Sequence, residues 1–309
     1  MTNRTAQKKK ASTSSTKGRR GNSTRSGSSR SKRSGASRRF PLFAVGAVVA
    51  VVIAMVGLSV YNHARTPATP GTSGTATVVR AVTSVPASAL DTVGAGQGIS
   101  PPAAIAGAPA VTSDGKPEVL YVGAEYCPFC ASERWPTVIA LSRFGTFSGL
   151  GLTTSSATDV FPSTPTLTFH GSTYSSDVIS FVAVELNTNQ LAASGLGYEP
   201  LDTLTPEQQQ LMQTFDVPPY TSQSGSIPFV LIGNRFAIAG SSYPPDVLQG
   251  KTWQQIASAL SDPSSSVAKQ VLGAANMLTA SICELTGGQP TNVCTAPGVT
   301  SAAGSLPSA

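Results

Sequence analysis

The longest apolar stretch of the chain runs from Leu42 to Tyr61 without a charged residue. At about 1.5 Å per helical residue its twenty positions reach about 30 Å, one hydrocarbon thickness, so the pattern predicts one membrane-spanning helix over 40–61. A cleavable secretory signal has a shorter apolar core, about 7 to 15 residues, and a small-residue cleavage site, for which Asn62-His63-Ala64-Arg65 is a poor candidate. Arg38-Arg39 after Ser37 resembles a twin-arginine export signal, although Pro41 stands where that signal usually has an aromatic. Residues 62–98 are rich in Thr, Pro, Ala, Gly and Val and show no sustained period, which predicts a flexible tether with an r.m.s. reach of about 34 Å.

Shorter patterns follow. Pro117 to Tyr126 is a β-rich run, and Trp135, Val138, Ile139 and Leu141 then give a mixed apolar face at helical spacing, ending near Arg143 and Gly145. Thr166–His170 and Val178–Val184 read as strands. Thr205, Pro206 and Gln208 form an N-cap, first-turn proline and capping-box partner for a helix running to about Phe215. Two β-rich segments flank Gly233-Asn234 as a hairpin, with Pro228 at the start of the first, where a missing ladder donor is tolerated. Thr252-Trp253-Gln254-Gln255 is a second capping box. A helix beginning after Asp262-Pro263 runs towards Cys283 and is stopped by Gly287-Gly288.

Charge divides the chain. Residues 1–39 carry 13 Lys or Arg and no acid, whereas the remainder is net −7 within an overall +6. A polybasic flank before an apolar run is the positive-inside signal, predicting a cytoplasmic amino terminus and an extracytoplasmic carboxy-terminal domain. The basic tail lacks interleaved aromatics or a recognition fold, so no nucleic-acid partner is expected; it reads as a disordered flank held to anionic lipid. Charged residues are only 12% of the chain against the usual ~25%, with 29 Gly and 23 Pro, which excludes a compact cytosolic enzyme from end to end.

The chemistry centres on Cys127-Pro128-Phe129-Cys130. A strand delivering this motif to a helix puts Cys127 at the helix amino terminus, where free N–H groups and the macrodipole favour a thiolate. Cys127 is the candidate nucleophile, with a pKa in the ~3.5 to 7.5 range of such sites, and Cys130, one turn on, the shielded resolving thiol. Zinc would need two further close ligands and the chain has only 2 His; haem attachment would need His where Ala131 stands. No metal or cofactor is expected. Glu125 and Glu133 lie close enough in sequence to accept a proton, although surface glutamates near a helix start are common. Trp135 reads as core, His170 as a structural side chain and His63 as a flank residue. Cys283 and Cys294 are placed to clip the last helix to the segment after it, a closure of about 12 residues that contributes roughly 2.8 kcal/mol in the chain-entropy picture.

Tyr121 to Cys130, Leu141-Ser142-Arg143-Phe144-Gly145, Asp216-Val217-Pro218-Pro219-Tyr220 and Gly225-Ser226-Ile227-Pro228-Phe229 together resemble the membrane-anchored, thioredoxin-like family catalogued as domain of unknown function 929. The resemblance covers about 95–295. It implies an α/β, thioredoxin-like fold at 99–295, preceded by the transmembrane helix and disordered tail, with a disordered end at 296–309. It also implies a cis Ile227–Pro228 bond whose backbone presents a substrate chain to the sulfurs. The redox motif and Pro228 are 101 positions apart. That implies an insertion at about 146–222 which, as in Dsb-type proteins, shapes substrate access.

The function so implied is a membrane-anchored thiol-disulfide oxidoreductase acting outside the cytoplasm on thiols or disulfides of exported proteins, with an extracytoplasmic or membrane redox partner. Fold does not decide function. A non-catalytic surface domain in which Cys127 and Cys130 form an inert disulfide remains the alternative.

Overall fold

A computed structural model describes residues 68–308. The chain enters it as two helices, α1 (Thr72–Thr83) and α2 (Ala87–Val93), within the segment expected to be a flexible tether. That expectation is corrected here. Val78 and Val82 are one turn apart on α1, Ala89 and Leu90 lie on α2, and all four are buried in the main core. The Thr, Ala and Gly around them hide an apolar stripe only two residues long, which is nonetheless enough to dock a short helix.

β1 (Ala103–Ala104), β2 (Thr112–Ser113) and β3 (Lys116–Gly123) follow, and α3 (Pro128–Leu141) leaves the end of β3 through the Cys-Pro-Phe-Cys motif. Four short strands come next: β4 (Gly145–Ser148), β5 (Gly151–Thr154), β6 (Pro165–Thr168) and β7 (Thr173–Ser176). They pair as the antiparallel ribbons β4–β7 and β5–β6. β8 (Ser180–Glu185) then returns parallel to β3, with Glu118 opposite Ser180 and Gly123 opposite Glu185. A hairpin of β9 (Asn187–Leu191) and β10 (Tyr198–Pro200) and the helix α4 (Pro206–Phe215) lead to β11 (Phe229–Ile232) and β12 (Phe236–Ala239). The chain finishes with α5 (Trp253–Ala259), α6 (Ser266–Leu285), α7 (Thr291–Cys294) and α8 (Pro297–Ala303).

β3 lies at the centre of the main sheet, antiparallel to β11 and parallel to β8, with β12 and β1 beyond β11. A strand covered on both faces reads as continuous apolar sequence, and its alternate residues divide between two cores. Val119 and Tyr121 of β3 and Val230 and Ile232 of β11 face the larger core with α3 and α6. Leu120, Val122, Phe229 and Leu231 face the smaller one with Phe215 of α4.

The fold class is mixed α/β, and the expected fold class, which set a transmembrane helix ahead of the domain, is corrected to that description. Among the described residues no helix is long and apolar enough to cross a membrane. The twenty-residue α6 carries Lys269, Gln270, Asn276 and Glu284 and packs into the core. The basic tail at 1–39 and the apolar run at 40–61 lie outside the described residues.

Two other boundaries change. The insertion expected at 146–222 is divided, because β8 within it belongs to the main sheet; its pairing with β3 is non-local and leaves no mark in local spacing. The end expected to be disordered at 296–309 contains α8, whose Val299 and Ala302 are buried. Proline at its first turn, Pro297, and the N–H of Gly298 donating to Asp91 at 2.9 Å fix its start.

Candidate active site

The site is built at the point where β3 gives way to α3. Tyr121 and Gly123 lie two residues apart on one face of the strand, and the Tyr121 ring and hydroxyl occupy the space a side chain at 123 would need. Any Cβ at 123 would displace a buried aromatic, so glycine is required there. After this the chain turns at Ala124, whose carbonyl accepts from the Cys127 N–H at 3.3 Å.

Cys127 is the N-cap of α3, extended at φ −78° and ψ 123°, and its sulfur accepts the N–H of Cys130 at 3.4 Å. Pro128 at the first helical position has no N–H to leave unpaired. Across from the motif, the Ile227–Pro228 peptide is cis, and the Ile227 carbonyl lies 3.8 Å from the Cys127 sulfur, placed to accept from the thiol. The structure therefore brings together Cys127, Cys130, Ile227 and Pro228, the four residues expected from sequence. Neither cysteine is in a disulfide and both are buried, Cys127 at 6% exposure and Cys130 at 0%.

Their environments push the two sulfurs apart. The thiol of Cys130 donates to Cys127 and, helped by the Cys130 N–H and the Arg134 charge, lowers the Cys127 pKa against the cost of burial. Burial raises Cys130 well above an ordinary thiol, and the neighbouring Cys127 adds to it. Where two coupled thiols are pushed apart in this way, the one with the lowered pKa is the readier to ionise and the other holds its proton more tightly.

Beneath the pair are charges that sequence reasoning missed. Arg134 and Glu185 are both fully buried and form a two-pronged ion pair, Nε to Oε1 at 2.7 Å and Nη2 to Oε2 at 2.6 Å. The guanidinium carbon lies 5.9 Å from the centre of the Tyr121 ring. Local sequence carries no signal for this pair, since Glu185 is 51 positions away at the end of β8. Of the two glutamates flagged near the sulfurs, Glu133 is the buried one. Its carboxylate accepts the Ser242 N–H at 2.7 Å and the Ser242 hydroxyl at 2.9 Å, and burial raises its pKa to about 7 against those bonds. Glu125 is half-buried at the rim, with the Thr153 hydroxyl donating to it at 3.4 Å. Trp135 is core, its indole N–H donating to the Pro165 carbonyl at 3.0 Å.

The rim is aromatic. Phe129, between the cysteines, is 39% exposed and meets Phe161 edge-on at 6.0 Å. Tyr126 stacks on Tyr198 of β10 at 4.1 Å, which ties the β9–β10 hairpin to the loop before Cys127. An open depression of about 320 Å³ is lined by Phe129, Gly240, Ser241, Tyr243 and Pro244 among others. The second cysteine pair is elsewhere: Cys283 and Cys294 are disulfide-bonded and join the end of α6 to α7.

Residues 107–284, more than half of the chain, match the family described as Domain of unknown function (DUF929), and the chain belongs to that family. No curated protein matches it. No solved structure matches it either.

Proposed function

We propose that this member of the DUF929 family is a thiol-disulfide oxidoreductase acting on cysteines of exported proteins. The observation that carries the reading is the placing of two free cysteines at the start of α3, the sulfur of the first accepting the N–H of the second at 3.4 Å and lying 3.8 Å from the Ile227 carbonyl of a cis Ile227–Pro228 peptide; their surroundings lower the Cys127 pKa and raise that of Cys130. In the reducing direction the Cys127 thiolate attacks one sulfur of a substrate disulfide. A Cys127–substrate disulfide forms and the second substrate sulfur leaves as a thiolate. Cys130 gives up its proton and attacks Cys127, the first substrate sulfur leaves as a thiolate, and two electrons have passed from the pair to the substrate. Oxidation of a substrate dithiol is the reverse.

A relationship to the thioredoxin superfamily is supported by β3 leading through Cys-x-x-Cys into α3, by β8 parallel to β3, and by the β11–β12 hairpin directly after a cis Ile227–Pro228 bond. An extracytoplasmic location is supported by the Cys283–Cys294 disulfide, a bond that persists mainly in oxidising compartments.

The test combines chemistry and capture. Mild reduction followed by alkylation at graded pH is expected to modify Cys127 rapidly and leave Cys130 protected, and Cys130→Ala is expected to accumulate mixed disulfides with exported proteins in cells. Two slowly reacting thiols, no captured client and no insulin reduction by the wild type would overturn the reading and leave a surface binding domain with an inert cysteine pair.

A further inference from the structure

Four residues after Cys130 on α3, and so one turn on along the same face, stands Arg134, the one lysine or arginine that is buried among the described residues. Its guanidinium cannot swing to water. Glu185 takes Nε and Nη2 in a fork, and Glu185 is itself fixed at the end of β8 by its N–H to the Asp202 carboxylate at 3.1 Å and by the Phe169 N–H at 3.4 Å. The third nitrogen, Nη1, has no hydrogen-bond partner among the described residues, and the nearby Tyr121 hydroxyl has none. The cluster thus presents a clamped cation with a donor to spare.

From this arrangement we infer that Arg134 is a positioning residue for the redox sulfurs: a fixed buried charge, clamped by Glu185, that stabilises the thiolate of the Cys127–Cys130 pair and thereby its reduced form. The inference rests on the thiol-disulfide reading above. A buried ion pair is a poor source of stability, because desolvating both ions offsets most of their attraction and an apolar replacement of similar volume is often neutral or better. A fixed field beside two ionisable sulfurs is what this one supplies. The titratable groups that interact there are Cys127 at the N-cap of α3, Cys130 on its first turn, Tyr121 from β3, Tyr126 from the loop before Cys127 and Glu185 from β8; Asp202 meets Glu185 through its backbone N–H. Arg134 acts on both sulfurs in the lowering direction. Since only the reduced pair carries a thiolate, stabilising it makes the disulfide a stronger oxidant.

The experiment replaces the ion pair as a unit. In the full chain, R134M/E185M removes both charges and keeps the volume, while R134K keeps the cation and loses the fork. Thiolate absorbance and pH-dependent alkylation give the Cys127 pKa, and equilibration with glutathione gives the redox constant. For the double variant the expected result is a pKa about one unit higher and an oxidation equilibrium shifted about tenfold, or about 30 mV, towards the disulfide. R134K is expected to recover at least half of each change. A folded double variant whose pKa and redox constant stay within twofold of wild type overturns the inference. Should the double variant not fold, the Arg134 Nε–H resonance of the wild type decides: it is expected to titrate with the Cys127 pKa, and a flat response overturns the inference. A wild type with no low-pKa thiol and no insulin reduction defeats the parent reading and this inference with it, whereas an active wild type beside an unmoved double variant defeats the inference alone.

Discussion

Glu133 is a carboxyl group with no route to water, and burial raises its pKa from 4.5 to about 7 despite two hydrogen bonds from Ser242. In the folded chain it keeps its proton to a higher pH than in the unfolded chain, so between those values the folded state binds more protons and stability falls as pH rises. The contribution is full below about pH 4.5, is lost up to about pH 7 and is constant above, with a total of at most about 3 kcal/mol. Glu133→Gln, which cannot ionise, is expected to flatten the urea-unfolding profile between pH 5 and 8 and to exceed the wild type in stability at pH 8. A wild-type profile already flat over that window would remove the argument. Sequence alone placed Glu133 near the sulfurs but on the surface, since an acid in the first turns of a helix is usually solvated. What buries it is Ser242, 109 positions away. The same limit hid Arg134, Glu185 and the Tyr121 hydroxyl, whereas Cys127 and Cys130 were legible because a four-residue motif between a strand and a helix carries their chemistry locally, and Ile227 and Pro228 were placed at the site only by the resemblance to a known family.

Elements divide along the same line. The capping boxes at Thr205 and Thr252 form as read, each with both reciprocal bonds, because all their partners lie within four residues. The hairpin about Gly233-Asn234 is equally local, and Asn234 takes the positive φ of 58° that such a turn requires. α2 is held instead by partners almost two hundred positions on. The Asn276 side-chain amide donates to the carbonyls of Leu90 and Gly94, both at 2.8 Å, and Gly298 approaches the Leu90 carbonyl so closely that a Cβ there would collide with it. If this helix belongs to the folded unit, Leu90→Ala removes a side chain that is 3% exposed and is expected to cost about 2–4 kcal/mol in urea unfolding, with a lower midpoint and an unchanged slope. A tether would lose nothing measurable, so a change below about 0.5 kcal/mol would return this segment to the linker first read from its composition.

At the scale of the molecule, the two sulfur pairs occupy opposite ends of one strand. β11 begins beside Pro228 and the candidate site and ends at Ile232; Gly233, directly after it, is packed against Leu285, two residues beyond the disulfide-bonded Cys283. Glu284 approaches Arg235 just after that turn, at 3.8 Å. Four residues of strand lie between Pro228 and Gly233, five steps and about 16 Å at ~3.3 Å per step, too far for sulfur-to-sulfur exchange without unfolding the sheet. The disulfide is therefore a clip on α6 and α7, and its work is done on the unfolded chain, whose freedom it restricts. Replacing it with C283S/C294S is expected to lower unfolding stability by about 2.8 kcal/mol, the loop-closure value for a separation of 11, while the Cys127 alkylation rate and insulin reduction at 25 °C stay within twofold of wild type. Loss of turnover in a variant that remains folded at the assay temperature would instead make Cys283 and Cys294 part of an electron path, and the separation along β11 would then have to close during the cycle.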